Sequence, residues 1–307
     1  MAQGTTPLRI AAAQYPPEAL PSLAAYRDKL ARWVAEAANA GAQLLAFPEY
    51  GAMEYAAAAG AHIAGDLAAS LAAVSAALPE MDAAHADLAR RYGVHILAAS
   101  GPSARAARTG ELRYVNAARL FAPSGNHGVQ EKLIMTPFEH DWGISPGTGL
   151  KVFETTLGRI GIAICYDSEF PLLVRAQAEA GADIIMIPSC TEFVSGYHRV
   201  RTAALARALE GTCVSVLSPT VGDAIWSPAI DHNSGAGGIF VPADRSLSDT
   251  GVLAEGELNR PQWVHANVDR QRLRALKTTG EMRNATDWSR QPGATGLALQ
   301  AELADLR

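Results

Sequence analysis

The chain has 307 residues, 49% of them hydrophobic and 19% charged, with a net charge of −5. That composition supplies ample material for a globular core, and the acidic balance argues against nucleic acid or an anionic membrane surface as the main partner. No uninterrupted apolar run approaches the roughly 20 residues that span a bilayer, MAQGTTPLRI lacks the pattern of a signal peptide, and three cysteines without framework spacing fit reduced thiols, so a cytoplasmic protein is expected.

Residues 8–14 read as a first strand. Leu23, Tyr26, Leu30, Trp33, Val34 and Ala37 recur at helical spacing, and Gly41 ends that helix. Residues 42–47 form a short apolar strand, followed by Pro48 and Glu49. Residues 50–79 have no clear reading: their alanines permit helix, but Gly60 and Gly65 interrupt it. A helix with Met81, His85, Leu88 and Tyr92 on one face stops at Gly93, and residues 94–100 are strand. Residues 113–121 and 129–134 are strands separated by the turn signal PSGN. TPFEHDWGISPGTG is a turn-rich loop. Residues 152–155 and 159–164 predict a hairpin turning at Leu157 and Gly158.

The second arm of that hairpin puts Ile160, Ile162 and Ile164 on one face and Arg159, Gly161 and Ala163 on the other. It runs into Cys165 and then a helical pattern with Pro171 near its first turn, where the missing N–H has no helical partner to lose. That helix ends at Gly181, and residues 182–187 are strand. A helix with Val200, Ala204, Leu205, Ala208 and Leu209 ends at Gly211, and residues 212–217 are the next strand. Short strands follow to about Asp269, notably 237–241 and 263–268, then a short charged helix. AGAQLLAFPE and AGADIIMIPS share a helix end, a glycine, a short apolar strand and a proline. Such units mixed with hairpins predict a mixed sheet, or two sheets, covered by helices. No linker divides the chain, so one domain is expected over residues 1–285, with a loose polar tail at 286–307.

The chemistry concentrates at strand ends. Cys165 sits at a sharp strand-to-helix junction, which presents a side chain beside free helix N–H groups. It reads either as a nucleophile needing a base or a cation beside it, or as a small buried apolar residue. Glu49 follows an apolar strand and a proline, and is a carboxylate at a sheet end or an ordinary solvated acid. Lys132 ends a strand. Glu139, in the following aromatic loop, could hold a lysine in place or be a solvated acid. Cys190 reads as cavity wall or core, and Cys213 as core. The eight histidines show neither HExxH nor paired metal spacing, so no metal is expected. No P-loop or GxGxxG element is present, and no cofactor is expected.

FPEY around Glu49, EKLIMTPFE around Lys132 and Glu139, and GIAICYDSEFP around Cys165 occur in that order. Together they resemble the nitrilase, or carbon–nitrogen hydrolase, superfamily, over nearly the whole chain. The resemblance implies a four-layer α-β-β-α sandwich and a catalytic triad of Glu49, Lys132 and Cys165, with Glu139 as a further family glutamate. It implies cleavage of a small linear amide through a Cys165 thioester, with the Tyr166 backbone N–H and Lys132 holding the oxyanion. Tyr166 stands where true nitrilases usually carry tryptophan, and CYD is more typical of amidase branches; nitrilase or N-carbamoyl hydrolase activity, or binding without turnover, are the alternatives. PSCTEFVSGYHRVR resembles a branch whose members are sometimes fused to an acetyltransferase domain, for which 307 residues leave no room. Tyr50, Tyr55, Cys190, Thr191, Phe193 and Tyr197 adjoin strand ends or the motifs and are candidate substrate contacts. A homodimer or larger homo-oligomer is implied by the resemblance alone.

Overall fold

The computed structural model describes residues 7–106, 112–292, 294 and 299–307. Its strands, in chain order, are β1 (Leu8–Gln14), β2 (Leu44–Ala46), β3 (His95–Leu97), β4 (Gly101–Ala106), β5 (Leu112–Phe121), β6 (His127–Glu131), β7 (Leu150–Thr155), β8 (Gly158–Ile162), β9 (Ile184–Ser189), β10 (Val214–Pro219), β11 (Gly238–Phe240), β12 (Val252–Glu255), β13 (Gln262–Val268) and β14 (Ala301–Asp305). The helices are α1 (Leu23–Asn39), α2 (Ala61–Ala64), α3 (Leu67–Tyr92), α4 (Pro137–Asp141), α5 (Pro171–Glu179), α6 (Val194–Gly211), α7 (Arg270–Thr279) and α8 (Asn284–Asp287).

The strands form two sheets of mixed direction. One has the order β13-β1-β2-β3-β5-β4, with β6 on β5; the other runs β12-β11-β10-β9-β8-β7-β14. Alternation along β1 shows how they stack. Ile10 and Ala12 join a core shared with Ile160, Ile162 and Val216 of the other sheet. Ala11 and Ala13 point the opposite way, into a core with Leu30 and Val34 of α1 and Leu71 and Val74 of α3. A period of two thus divides one strand between two cores. On the second sheet, Gly161 lies against α5: a Cβ there would fall 2.8 Å from Gln177 Cδ. The isoleucine face of β8 is left to meet the first sheet. The result is helices, sheet, sheet, helices: the expected four-layer α-β-β-α sandwich.

The sheets are tied together at one end. Ser218 Oγ, on β10, donates to the carbonyls of Ala13 (2.8 Å) and Ala46 (3.0 Å) across the interface. The parallel pairs β1–β2, β2–β3, β8–β9 and β9–β10 all deliver their C-terminal ends to this region. Clefts beyond the carboxyl ends of parallel strands are the usual ligand sites of α/β sheets.

Three local expectations are corrected, and one strand, β4, is added where none was expected. The helix through Met81 begins at Leu67 and runs through Pro79; Asp66 caps it, its side chain accepting the Ala69 N–H at 2.8 Å. Good helix formers over 26 residues outweigh one proline. α3 is, among the described residues, long and apolar enough to cross a membrane by length and composition. Its buried face carries Leu71, Val74, Leu78 and Met81 into the core, and Glu80 and Asp87 are exposed on the other. β4 shows no alternation in its own sequence and is set by its antiparallel partner β5. TPFEHDW is not all turn: Thr136 and Glu139 form a capping box that starts α4, the S/T-x-x-E signature being present in the letters. The polar end is not loose throughout, because β14 pairs in parallel with β7 and buries Leu306.

Candidate active site

Glu49, Lys132, Cys165 and Glu139 arrive from four separate places in the chain. β2 ends at Ala46, and Phe47 and Pro48 carry the chain to Glu49. Lys132 follows β6, and its backbone N–H donates to the Asn116 carbonyl of β5 at 2.8 Å. Cys165 opens a 3₁₀ turn (Cys165–Glu169) beyond β8. Glu139 lies in α4. All four side chains are buried, at 5% exposure or less.

Lys132 Nζ is the hub. It donates to Glu49 Oε1 at 2.7 Å and to Glu139 Oε2 at 2.6 Å. Glu139 Oε2 also accepts the backbone N–H and hydroxyl of Thr136, each at 3.0 Å. Its Oε1 accepts the Tyr50 hydroxyl at 2.9 Å and Asn116 Nδ2 at 3.1 Å. Glu49 Oε1 accepts Asn116 Nδ2 at 2.9 Å as well, and Oε2 accepts the Cys190 N–H at 3.0 Å. Every buried charge therefore has partners, the condition under which buried ion pairs persist.

The electrostatics separate these groups. Burial alone would lower Lys132, but the Glu49 and Glu139 carboxylates overcome it and hold the ammonium well above the usual lysine range. Burial pushes Glu139 up, yet Lys132 and the Thr136 bonds bring it below the ordinary carboxylate range. Glu49 stays raised: burial dominates, and Lys132 offsets it only in part. Burial and the Glu49 charge push the Cys165 thiol well up, with Lys132 opposing. At rest the thiol is protonated beside a carboxylate, so nucleophilic attack requires a base.

Backbone strain marks the same place. Among the described residues, Tyr50, Cys165, Thr212 and Asn259 are the non-glycine residues with positive φ; Tyr50 stands at +52° and Cys165 at +46°. Such conformations cost about 1–3 kcal/mol and persist where surrounding structure enforces them. Around Cys165, Ser168 Oγ donates to its carbonyl at 2.6 Å. Asp167 Oδ1 accepts the Ile134 N–H at 2.8 Å and the Leu133 N–H at 3.2 Å, tying the turn to the segment after Lys132. Burial raises Asp167 to about 7 despite those donors.

A cavity of about 600 Å³ opens onto these groups. Glu49, Lys132, Glu139 and Cys165 line it. Tyr50, Tyr166, Cys190, Thr191 and Phe193 do so too, with Phe138, Trp142 and Pro228. Tyr55 and Tyr197 do not reach it. Tyr55 packs edge-on against Tyr26 at 6.3 Å, and Tyr197 donates its hydroxyl to Glu255 at 2.8 Å. Tyr197 directly follows the lining residue Gly196 and Tyr55 lies five residues past the lining Tyr50, so nearness in sequence did not separate them. Asn116, Ser100, Asp167 and Trp142 were missed. Asn116 sits mid-strand and Asp167 in a turn, where a polar letter carries no signal of what it faces; the capping box alone could have pointed Glu139 inward.

A carbon–nitrogen hydrolase family profile matches residues 9–242. The probable hydrolase YhcX of Bacillus subtilis is 40% identical over 202 residues, which cover 66% of this chain and 38% of YhcX. The deaminated glutathione amidase of Yersinia enterocolitica is 33% identical over 144 residues, covering 44% of this chain and 50% of that protein. The chain thus spans no more than half the length of these two curated relatives. Among solved structures, the carbon–nitrogen hydrolase of Helicobacter pylori superposes with a TM-score of 0.70 at 19% identity, over 88% of this chain and 91% of that one. A mutant amidase from Nesterenkonia sp. AN1, with acrylamide added at its active site cysteine, gives 0.62 at 20% identity over 87% and 95%. At these identities the likeness is one of fold.

Proposed function

The chain belongs to the carbon–nitrogen hydrolase family, and from that premise we propose that it is an amidase-like hydrolase cleaving a small linear amide through a Cys165 thioester. One observation carries the reading: a protonated thiol, a raised carboxylate and a doubly held ammonium meet at the floor of a cavity about 600 Å³ in volume. The thiol is the nucleophile, the carboxylate the base, and the ammonium the charge that steadies an oxyanion.

In the first half-reaction Glu49 takes the thiol proton as Cys165 Sγ bonds to the amide carbon. Negative charge gathers on the carbonyl oxygen, where Lys132 and the Tyr166 N–H receive it. That N–H lies in the first turn after Cys165, where no carbonyl of the turn itself can accept it. The C–N bond then breaks as Glu49 returns the proton to nitrogen, so that ammonia or an amine leaves instead of an amide anion. In the second half-reaction a water gives a proton to Glu49 and its oxygen bonds to the thioester carbon. The S–C bond breaks, and the proton passes from Glu49 to sulfur. Glu139 anchors Lys132 throughout, aided by Thr136 and Tyr50.

The amidase side of the family is favoured by Tyr166. Aromatic Phe138, Trp142 and Phe193 with Pro228 give a substrate body apolar surface, and Glu169, Glu192, Arg199, Asp231 and His232 add polar and charged groups to the same cavity. The Yersinia and Nesterenkonia proteins are named as amidases. We assign the protein no cofactor, and a homodimer or larger homo-oligomer is proposed from the family resemblance. The test is a panel of linear amides, nitriles, carbamoyl amino acids and dipeptide-like amides scored by ammonia release. Turnover of an amide by the wild type, lost by at least about 10⁴-fold in a folded Cys165→Ala variant, is expected. Full turnover in Cys165→Ala sinks the reading.

A further inference from the structure

We infer that Asn116, oriented by Ser100, is a positioning residue that keeps Glu49 and Glu139 together in their charged forms and decides which Glu49 oxygen is left for the Cys165 thiol. The inference rests on the Glu49–Cys165 chemistry proposed above and goes beyond it by assigning a residue outside the triad.

Asn116 is fully buried in β5, and so is Ser100 in the segment after β3. An amide has two N–H donors and one carbonyl acceptor, and all three are used. Nδ2 donates to Glu49 Oε1 (2.9 Å) and to Glu139 Oε1 (3.1 Å). Oδ1 accepts the Ser100 hydroxyl at 2.7 Å. That last bond sets the orientation: with Ser100 donating, the oxygen must face the serine and the NH₂ must face the acids. Ser100 Oγ in turn accepts the Tyr50 N–H at 3.1 Å, and the Tyr50 hydroxyl donates to Glu139. A closed ring therefore links the residue after Glu49 to Glu139 through Ser100 and Asn116.

The consequence for Glu49 is a division of labour between its oxygens. Oε1 holds two donors, Lys132 and Asn116, and both of its lone pairs are engaged. Oε2 holds one, the Cys190 N–H, and keeps a lone pair to spare. Proton transfer with the thiol falls to Oε2. Two carboxylates sharing one lysine would ordinarily force one of them to protonate; the paired donors of Asn116 resist that by favouring both ionised forms. The titratable groups facing Glu49 are Lys132, Glu139, Cys165, Tyr50, Cys190 and Asp167. None but Lys132 supplies a permanent positive charge, so a neutral donor matters here.

The experiment needs no knowledge of the substrate. The rate of Cys165 alkylation by iodoacetamide is followed from pH 4 to 9, with the modified cysteine identified by mass spectrometry, so that Cys190 and Cys213 are not counted. Its acid limb reports ionisation of Glu49. Asn116→Leu keeps the size and neutrality but gives no hydrogen bond, and Ser100→Ala keeps the amide but frees it to rotate. Losing the charge-assisted bond to Glu49 is expected to move the limb upward by about one pH unit in Asn116→Leu. Ser100→Ala is expected to move it the same way by less. A merely structural role would lower the melting temperature without moving the limb. Folded variants with the wild-type limb overturn the inference, and so does failure of both variants to reach the wild-type circular dichroism, which would make the ring a folding element. A wild-type protein whose Cys165 alkylation has no acid limb overturns the Glu49–Cys165 pairing itself, and with it the proposed function.

Discussion

Among the described residues two buried lysines are each clamped by a buried glutamate, and one of them lines the cavity. Lys132 meets Glu49 at 2.7 Å, and Lys29 of α1 meets Glu54 at the same distance. Both lysines are 1% exposed. Around Lys29 the Glu54 carboxylate is occupied to the same degree as that of Glu49, with three donors. Glu54 accepts the Tyr15 hydroxyl and the Glu18 N–H, the Pro16 carbonyl accepts Lys29, and the ammonium lies 4.2 Å from the Tyr15 ring centroid. One buried acid, with the half-exposed Glu18 carboxylate 3.3 Å from the ammonium, balances the buried base, and the pair staples α1 to the 3₁₀ segment Gly51–Ala59. Around Lys132 there are two buried acids, a thiol and a cavity. Glu49 and Glu54 each accept three donors, so the second buried acid, the thiol and the cavity are what set Lys132 apart. Pairing makes a buried charge tolerable; the thiol and the cavity beside the Lys132 pair are what the proposed chemistry uses.

The sharpest way to break that comparison is to remove each lysine in turn. Lys132→Met should lower kcat by about 10³-fold or more, since the oxyanion loses its cation. It should also destabilise the fold by about 3–5 kcal/mol by leaving two acids unpaired. Lys29→Met should destabilise by a similar amount while leaving kcat per folded molecule within about twofold, because its cluster touches no reacting atom. Urea unfolding paired with activity normalised to folded protein reads both. A Lys29 variant that is folded but inactive would erase the distinction.

Asp167 sharpens it more gently. With its carboxyl raised to about 7 in the fold, it holds a proton that the unfolded chain releases near its ordinary value of about 3.9. Its contribution to stability is therefore complete at acid pH and fades as pH rises from about 4 to about 7, by at most about 1.4 kcal/mol per unit. Asp167→Asn keeps an oxygen for Leu133 and Ile134 but has no proton to lose. The urea midpoint of the wild type should fall between pH 5 and pH 7.5 relative to that of the variant; parallel pH profiles would contradict the assignment. The smallest effects are expected at the cavity mouth. Phe193→Ala should raise KM by about tenfold with kcat little changed, as loss of uniform binding does. Tyr197→Phe, which breaks a bond to Glu255 outside the cavity, should leave KM alone and cost about 1 kcal/mol of stability. Steady-state kinetics on a substrate from the panel separates the two.

Much of the framework was legible before any coordinates. β1 coincides with the predicted residues 8–14, and Gly41, Gly93 and Gly181 stand past helix ends with positive φ. Thr212, not Gly211, takes the left-handed position after α6, because a cap depends on where the helix stops as well as on which residue prefers the cap. The repeated units ending in Pro48 and Pro188 do become equivalent strands, β2 and β9, one in each sheet. The tail escaped prediction since β14 draws its pairing from β7, far away in the chain.

What the sequence determined by itself was the set of candidate side chains and their local settings. Glu49 and Cys165 each follow an apolar strand and Lys132 follows the more polar β6, and a strand's end is a property of nearby residues. What only the tertiary structure decided was which polar groups meet them. Asn116 and Ser100 lie on neighbouring parts of one sheet, and Asp167 reaches the backbone after Lys132. Tyr50 reaches Glu139 while Tyr55, five residues on, turns away to Tyr26. Hydrogen bonds act over about 3 Å and require direction. Such contacts exist only once two sheets have stacked, so the letters name the participants and the packing chooses their partners.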